Sequence, residues 1–241
     1  MALLSINLFQ NLFTSPFYGR LLLDQLLYIG VRSFSLVFVT GLASGSVMAL
    51  QFGAGLERFG GTLYVPKIVS LSILREIGPV FTSLLVAGRI GSGIASEVAS
   101  MKVTQQIDAI RALGTSPIKT IVIPRVLAAM IALPILTLFV DYIGLLGAML
   151  VCKLELNITT DFFYAKTLET VKAYDLWTGL FKAWVFGFFM SLIACWKGLH
   201  TEGGTQGVGS STTWVVVRSS IFIMIADFFL TKFFIVAVYP Q

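Results

Sequence analysis

The sequence predicts an all-α integral membrane protein, and three observations carry that prediction. The 241 residues are 56% hydrophobic and only 12% charged, at a mean hydropathy of +0.89; a soluble domain carries about twice that charge fraction. Five apolar stretches reach or exceed the roughly 20 residues that a bilayer-crossing helix needs. Small residues recur every four positions at Gly41, Gly45 and Ala49, the spacing that lets membrane helices approach closely. The length leaves room for one membrane domain over residues 1–241 and none for a separate soluble catalytic domain.

The remaining composition narrows the function. A net charge of +5 spread along the chain reads as loop charge beside anionic lipid, not as a nucleic-acid footprint. Cys152 and Cys195 lie in apolar runs and His200 is the only histidine, so neither a disulfide framework, a metal site nor a hydrolytic triad is indicated. The start MALLSINLFQNLFTSPF has neither the basic onset nor the small-residue cleavage site of a secretory signal.

In chain order, residues 1–30 hold short apolar helical patterns broken at Ser15-Pro16, which predicts an interfacial helix region lying along the membrane. The five transmembrane helices are expected within 33–238. The first runs over Ser33–Leu56, uncharged throughout, and the second over Ile68–Ser96. The third covers Val126–Cys152 and contains Asp141; the fourth covers Leu176–Trp196 and contains Lys182. The fifth, Thr212–Val238, is interrupted by Arg218, Asp227 and Lys232. Lys153–Asp175 is a charged loop with some helix. Five spans place the termini on opposite sides. One side collects nine Lys/Arg against four Asp/Glu, the other eight against six. The basic loop with Lys102, Arg111, Lys119 and Arg125 is therefore expected to face the cytoplasm.

The second span raises the functional question. Twelve uncharged residues separate Glu76 from Arg89, roughly 18 Å of helix at ~1.5 Å per residue, against a hydrocarbon core about 30 Å thick. A charge must therefore sit at depth. Arg75, Gly78, Thr82, Val86, Arg89 and Gly93 share one helical stripe, and Gly78-Pro79 is expected to end or kink the helix. Two readings fit: a charged rim of a polar-lined cavity beside a broken helix, or an ion pair that only fixes helix packing.

Between the second and third spans, 97–114 reads as a short amphipathic helix, with Met101, Ile107 and Ile110 apolar and Glu97, Lys102, Asp108 and Arg111 charged. It can dock in a partner's groove or rest on the lipid surface. The glycine-rich GGTQGVGSSTT, Gly203–Thr213, lacks the G-K-[ST] end of a phosphate-binding loop, so it is expected to be a flexible turn that caps the fifth span.

The block LREIGPVFTSLLVAGRIGSGIASEVASMKVTQQIDAIRALGTSPIKTIVIPRVLA, with GVGSSTTWVVVRSS and the Asp227 of ADFFLTKFF, closely resembles the MlaE/YrbE family. Its members are permease subunits of lipid ABC transporters that work with MCE-domain proteins. The resemblance runs from about Ser33 to the end. It implies an N-terminal interfacial helix, five transmembrane helices with 97–114 as a cytoplasmic coupling helix, and a homodimer enclosing a lipid-accessible cavity. It also implies that phospholipid or a related lipid moves between the inner membrane and an MCE-domain partner. ATP would be bound and hydrolysed by a separate ABC ATPase subunit, so the chain itself would be no enzyme and need no cofactor. Arg75, Glu76, Gly78 and Pro79 match the family's L-R-E-[IL]-G-P motif and would belong to the lipid pathway, with Arg89 on its approach. Glu97, Met101, Lys102, Ile107, Asp108, Ile110 and Arg111 would form the ATPase-coupling set. The expected location is a bacterial inner membrane or a plastid inner envelope. A self-contained secondary transporter using Glu76, Asp141 and Asp227 is the alternative; the sequence shows no inverted repeat of the kind such transporters carry.

Overall fold

The structure is a computed structural model and describes residues 19–237. The interfacial helix expected over residues 1–30 lies mostly outside them. Seven helical elements follow one another among the described residues: α1 (Gly19–Glu57), α2 (Thr62–Val103), α3 (Gln106–Ala112), α4 (Ile118–Glu155), α5 (Thr160–Thr170), α6 (Ala173–Leu199) and α7 (Gly204–Ala237). α1, α2, α4, α6 and α7 are long and apolar enough to cross a membrane. Each begins or ends beyond the apolar run read from the sequence. Helix continues into the polar flanks because its backbone bonds are satisfied internally at any depth.

α1 shows this most clearly. Residues 19–30 are not a separate helix but the first turns of a continuous 39-residue rod, since nothing between Gly19 and Glu57 interrupts helical backbone. It stops where Gly60 takes a left-handed φ of +66° and the Gly61 N–H turns back to the Leu56 carbonyl at 2.9 Å. Likewise, Gly204–Thr213 is not a turn but the opening of α7; the left-handed glycines Gly203 (φ +85°) and Gly204 (φ +64°) make the bend at its start.

α2 does not end at Gly78-Pro79. It absorbs the proline by widening into a π turn over Ile73–Ile77, and a second π turn spans Ala87–Gly91. Such bulges are a recognised cause of helix kinks. α4 likewise opens on a π turn, Ile118–Val122, and carries Pro134 within it. The helix 97–114 proves shorter than expected. Residues 97–103 continue α2, and α3 is the seven-residue piece between left-handed turns at Gln105 (φ 60°) and Gly114 (φ +76°).

The chain forms two compact units. One comprises residues 19–33 with Ser83–Leu133 and Trp184–Ala226; the other comprises Phe34–Thr82, Pro134–Ala183 and residues 227–237. The second is built on the small-residue face of α1. Gly41 lies on the Val140 backbone and Gly45 on Gly144, and a Cβ at Gly45 would overlap the Gly144 carbonyl. Ala49 then enters an apolar core with Val65, Val69, Ile73, Ala148, Cys152 and Phe163. The small stripe read from the sequence is thus the α1–α4 contact. Gly45→Val is expected to destabilise the protein by about 1–3 kcal/mol, the usual cost of overpacking, read as a lower melting temperature in detergent; an unchanged melting temperature would mean the helices can separate freely there. α5 is capped by Thr159, whose hydroxyl accepts the Phe162 N–H at 3.4 Å. On its exposed surface, the ammonium of Lys166, 2.6 Å from Glu169, holds that carboxyl below its usual range.

In the first unit, Gly91 packs on Met190, Gly187 on the Ala129 backbone and Gly198 on Val98, which brings the end of α6 against the end of α2. Ile107 of α3 is fully buried.

Candidate functional site

Arg75 and Glu76 belong to the second unit and sit in the π turn of α2. Each finds its own partner on α6. Arg75 Nε donates to Asp175 Oδ1 at 2.8 Å, and its Nη2 lies 2.7 Å from the same oxygen. Asp175 is fully buried in the first turn of α6, where its other oxygen accepts the Lys172 N–H at 2.9 Å. A carboxylate is well placed there, at the positive end of the helix dipole. Glu76 Oε2 lies 2.7 Å from the ammonium of Lys182.

Lys182 organises the cluster. Its side chain is 2% exposed, and its Nζ contacts Glu76 Oε2, Asp227 Oδ1 at 3.0 Å, Thr231 Oγ1 at 2.6 Å and the Arg75 carbonyl at 3.0 Å. The last contact follows from Pro79. Proline has no N–H to give the preceding turn, and Arg75, four residues earlier, has its carbonyl taken by the lysine instead. Thr231 adds a hydroxyl 3.2 Å from both Glu76 oxygens. Two cations and three carboxylates therefore meet within helices of membrane-spanning length. The cation Lys182 is enclosed, whereas Glu76 and Asp227 keep 38% and 21% of their side chains exposed. A buried ammonium with several oxygen ligands is the arrangement a low-dielectric interior requires. The two partly open carboxylates leave a polar, net negative surface that can meet a cationic or hydroxylated group.

Asp141 has a different setting. It is 4% exposed, its Oδ1 lies where a Cβ of Gly78 would be, and that oxygen has no hydrogen-bond partner among the described residues. Gly78 thus makes room for a carboxyl group and Pro79 frees a carbonyl, so the Gly-Pro pair serves the cluster through the backbone.

The other expected site residues lie in the first unit. The Arg89 guanidinium donates to the main-chain carbonyl of Arg32. Glu97 pairs with Arg125 at 2.9 Å, Lys102 with Asp108 at 3.2 Å, and Arg111 with Asp108 at 3.4 Å. Met101 and Ile110 line a cavity of about 230 Å³ shared with Leu21, Gln25 and the Glu97–Arg125 pair. With Ile107 buried, the outward surface of α3 is Asp108, Arg111 and the following Leu113, which is 83% exposed. Sequence reasoning left Lys182, Asp175, Thr231 and Leu113 out of the site. A signal existed for the first of these: Lys182 lies nine residues after the start of α6, and Asp227 lies ten before the end of α7. In consecutive antiparallel spans those positions share a depth.

Five membrane-length helices with a charge cluster held inside them define a polytopic membrane protein. The chain belongs to the MlaE permease family, matching "Permease MlaE" over residues 22–233. It is 43% identical over 231 residues to a probable ABC transporter permease of Rickettsia typhi, covering 96% of this chain and 89% of that protein. It is 36% identical over 217 residues to the chloroplastic protein TRIGALACTOSYLDIACYLGLYCEROL 1 of Arabidopsis thaliana, covering 90% and 62%. It is 32% identical over 212 residues to the intermembrane phospholipid transport system permease protein MlaE of Haemophilus influenzae, covering 88% and 81%.

Proposed function

We propose that the chain is the membrane subunit of an ABC transporter that moves phospholipid between its membrane and an MCE-domain partner. ATP is hydrolysed on a separate ATPase subunit. The observation that carries this reading is the Lys182 cluster, which puts partly open Glu76 and Asp227 inside the spans, where a phospholipid headgroup crossing the apolar layer needs polar contacts. The name of the Haemophilus relative, an intermembrane phospholipid transport system permease, supports phospholipid as the cargo. Arg75, Glu76, Gly78 and Pro79 form or shape that pathway, and Arg89 lies toward the ATPase side.

The ATPase docks on the outward surface of α3 and the charges beside it, Glu97, Lys102, Asp108 and Arg111, so that this face is cytoplasmic. The protein acts as a homodimer. Most of the apolar length of α7 is left uncovered by the rest of the chain, and its exposed Ile221, Ile225, Phe228 and Phe229 suit a second copy and lipid. The host membrane is a bacterial inner membrane, with a plastid inner envelope as the counterpart for the plant relative.

The test is reconstitution of the chain with the ATPase in liposomes, measuring ATP-dependent movement of labelled phospholipid. Wild type should move lipid only with ATP, and Glu76→Gln should fall to the level without ATP while retaining ATPase binding. Ion-driven uptake by the chain alone, dependent on Glu76, Asp141 or Asp227, would instead establish secondary transport.

A further inference from the structure

The first unit holds a second group of cations that the transport reading does not use. Trp214 of α7 carries Lys197 Nζ 5.5 Å from its ring centroid and the Arg218 guanidinium carbon at 5.3 Å. Trp196 packs beside it at 5.8 Å between centroids. His200 stacks on Trp196 at 5.0 Å and donates from Nδ1 to its carbonyl at 2.8 Å. Among the described residues, neither Lys197 nor Arg218 forms an ion pair with a carboxylate. Attraction to an aromatic face orients a cation without neutralising its charge.

Their depth follows from helix length. α7 has 34 residues, about 51 Å at ~1.5 Å per residue, while the hydrocarbon needs about 30 Å. The first ten residues of α7 are GTQGVGSSTT and the apolar run begins at Trp214, so Trp214 stands at the membrane boundary, where tryptophan is favoured. Lys197 occupies the last turn of α6, which ends at Leu199, and His200 then enters the short connection to α7. Arg218 starts one turn deeper than Trp214. Helical side chains lean toward the helix N-terminus, and Arg218 reaches back over the ring to the boundary, as snorkelling cations do.

From this geometry we infer that Lys197, Arg218 and the Trp196–Trp214 pair form a binding site for the headgroup of an anionic phospholipid. The phosphate sits between the two cations, the indole rings support the headgroup–acyl junction, and His200 borders the site. The inference rests on membrane insertion alone. Because the end of α6 packs on the end of α2 through Gly198 and Val98, the orientation proposed above assigns the lipid to the cytoplasmic leaflet.

The full chain in detergent, titrated with phosphatidylglycerol or phosphatidylcholine and read by native mass spectrometry, tests it. Wild type should hold phosphatidylglycerol more tightly than phosphatidylcholine, with the preference shrinking as salt rises. K197Q/R218Q should weaken phosphatidylglycerol about 10-fold, in keeping with the contribution of two cations near a membrane surface, and leave phosphatidylcholine unchanged. K197R/R218K should keep the preference, and K119Q, which removes another cation of the same unit, should not alter it. Equal binding of the two lipids by wild type overturns the site whether or not any variant folds. So does unchanged phosphatidylglycerol binding in K197Q/R218Q, or an equal loss in K119Q.

Discussion

Lys182→Met is expected to destabilise the protein by about 3–5 kcal/mol, the usual result of removing one partner from a buried charge pair, and to abolish transport. The reason is specific to this cluster. The ammonium is enclosed and contacts two carboxylates, a hydroxyl and a main-chain carbonyl. Without it, Glu76 and Asp227 lose the cation they share, and Glu76 keeps the Thr231 hydroxyl at 3.2 Å. The measurement is thermal unfolding in detergent together with lipid movement after reconstitution. A triple variant, K182M/E76Q/D227N, separates the two readings that the sequence left open. Replacing the charges by neutral groups of similar size should recover most of the stability, since such replacements of buried ion pairs are often close to neutral. If transport stays lost in the stable triple variant, the charges serve the cargo. Recovery of transport along with stability would make the cluster a packing device.

Leu113→Asp is expected to weaken binding of the ATPase subunit about 10- to 100-fold, from the ~1.5–3 kcal/mol that burying one such side chain contributes, and to stop ATP-driven transport with the membrane domain intact. Leu113 follows α3 and projects from it 83% exposed, so an acidic residue there meets only water in the free chain. Ile107→Asp gives the opposite pattern. That side chain is fully buried, and a charge forced into its place should lower the melting temperature of the isolated chain before any partner is involved. Co-purification with the ATPase and unfolding of the chain alone distinguish the two variants. Full ATPase affinity in Leu113→Asp would place the docking surface elsewhere.

Much of the fold was legible because the membrane simplifies the problem. Runs of apolar residues between polar loops mark spans directly, and all five appear as helices at the expected places. The Gly41-Gly45-Ala49 stripe was readable as a contact face because only small residues allow backbones to meet. Element ends were less legible. Gly19–Gly30 joins α1 and Gly204–Thr213 joins α7, because polar flanks of a span remain helical until a left-handed glycine stops them. Gly78-Pro79 reads as a breaker in isolation. Within α2, a π turn accommodates the proline and Lys182 takes a carbonyl of the preceding turn.

The same division runs through the site. The sequence alone determined that charge must lie at depth near Arg75 and Glu76, since twelve uncharged residues are too few to cross the hydrocarbon. It also determined, through the motif around them, the family of permeases to which the chain belongs. What joins those charges to others was decided by tertiary structure. Arg75 meets Asp175 from 100 positions away, and Glu76 meets Lys182 and then Thr231 from 106 and 155. Helical periodicity is a local property that tells which residues share a face. It carries no information on the rotation of one helix against the next, and that rotation sets which charges meet.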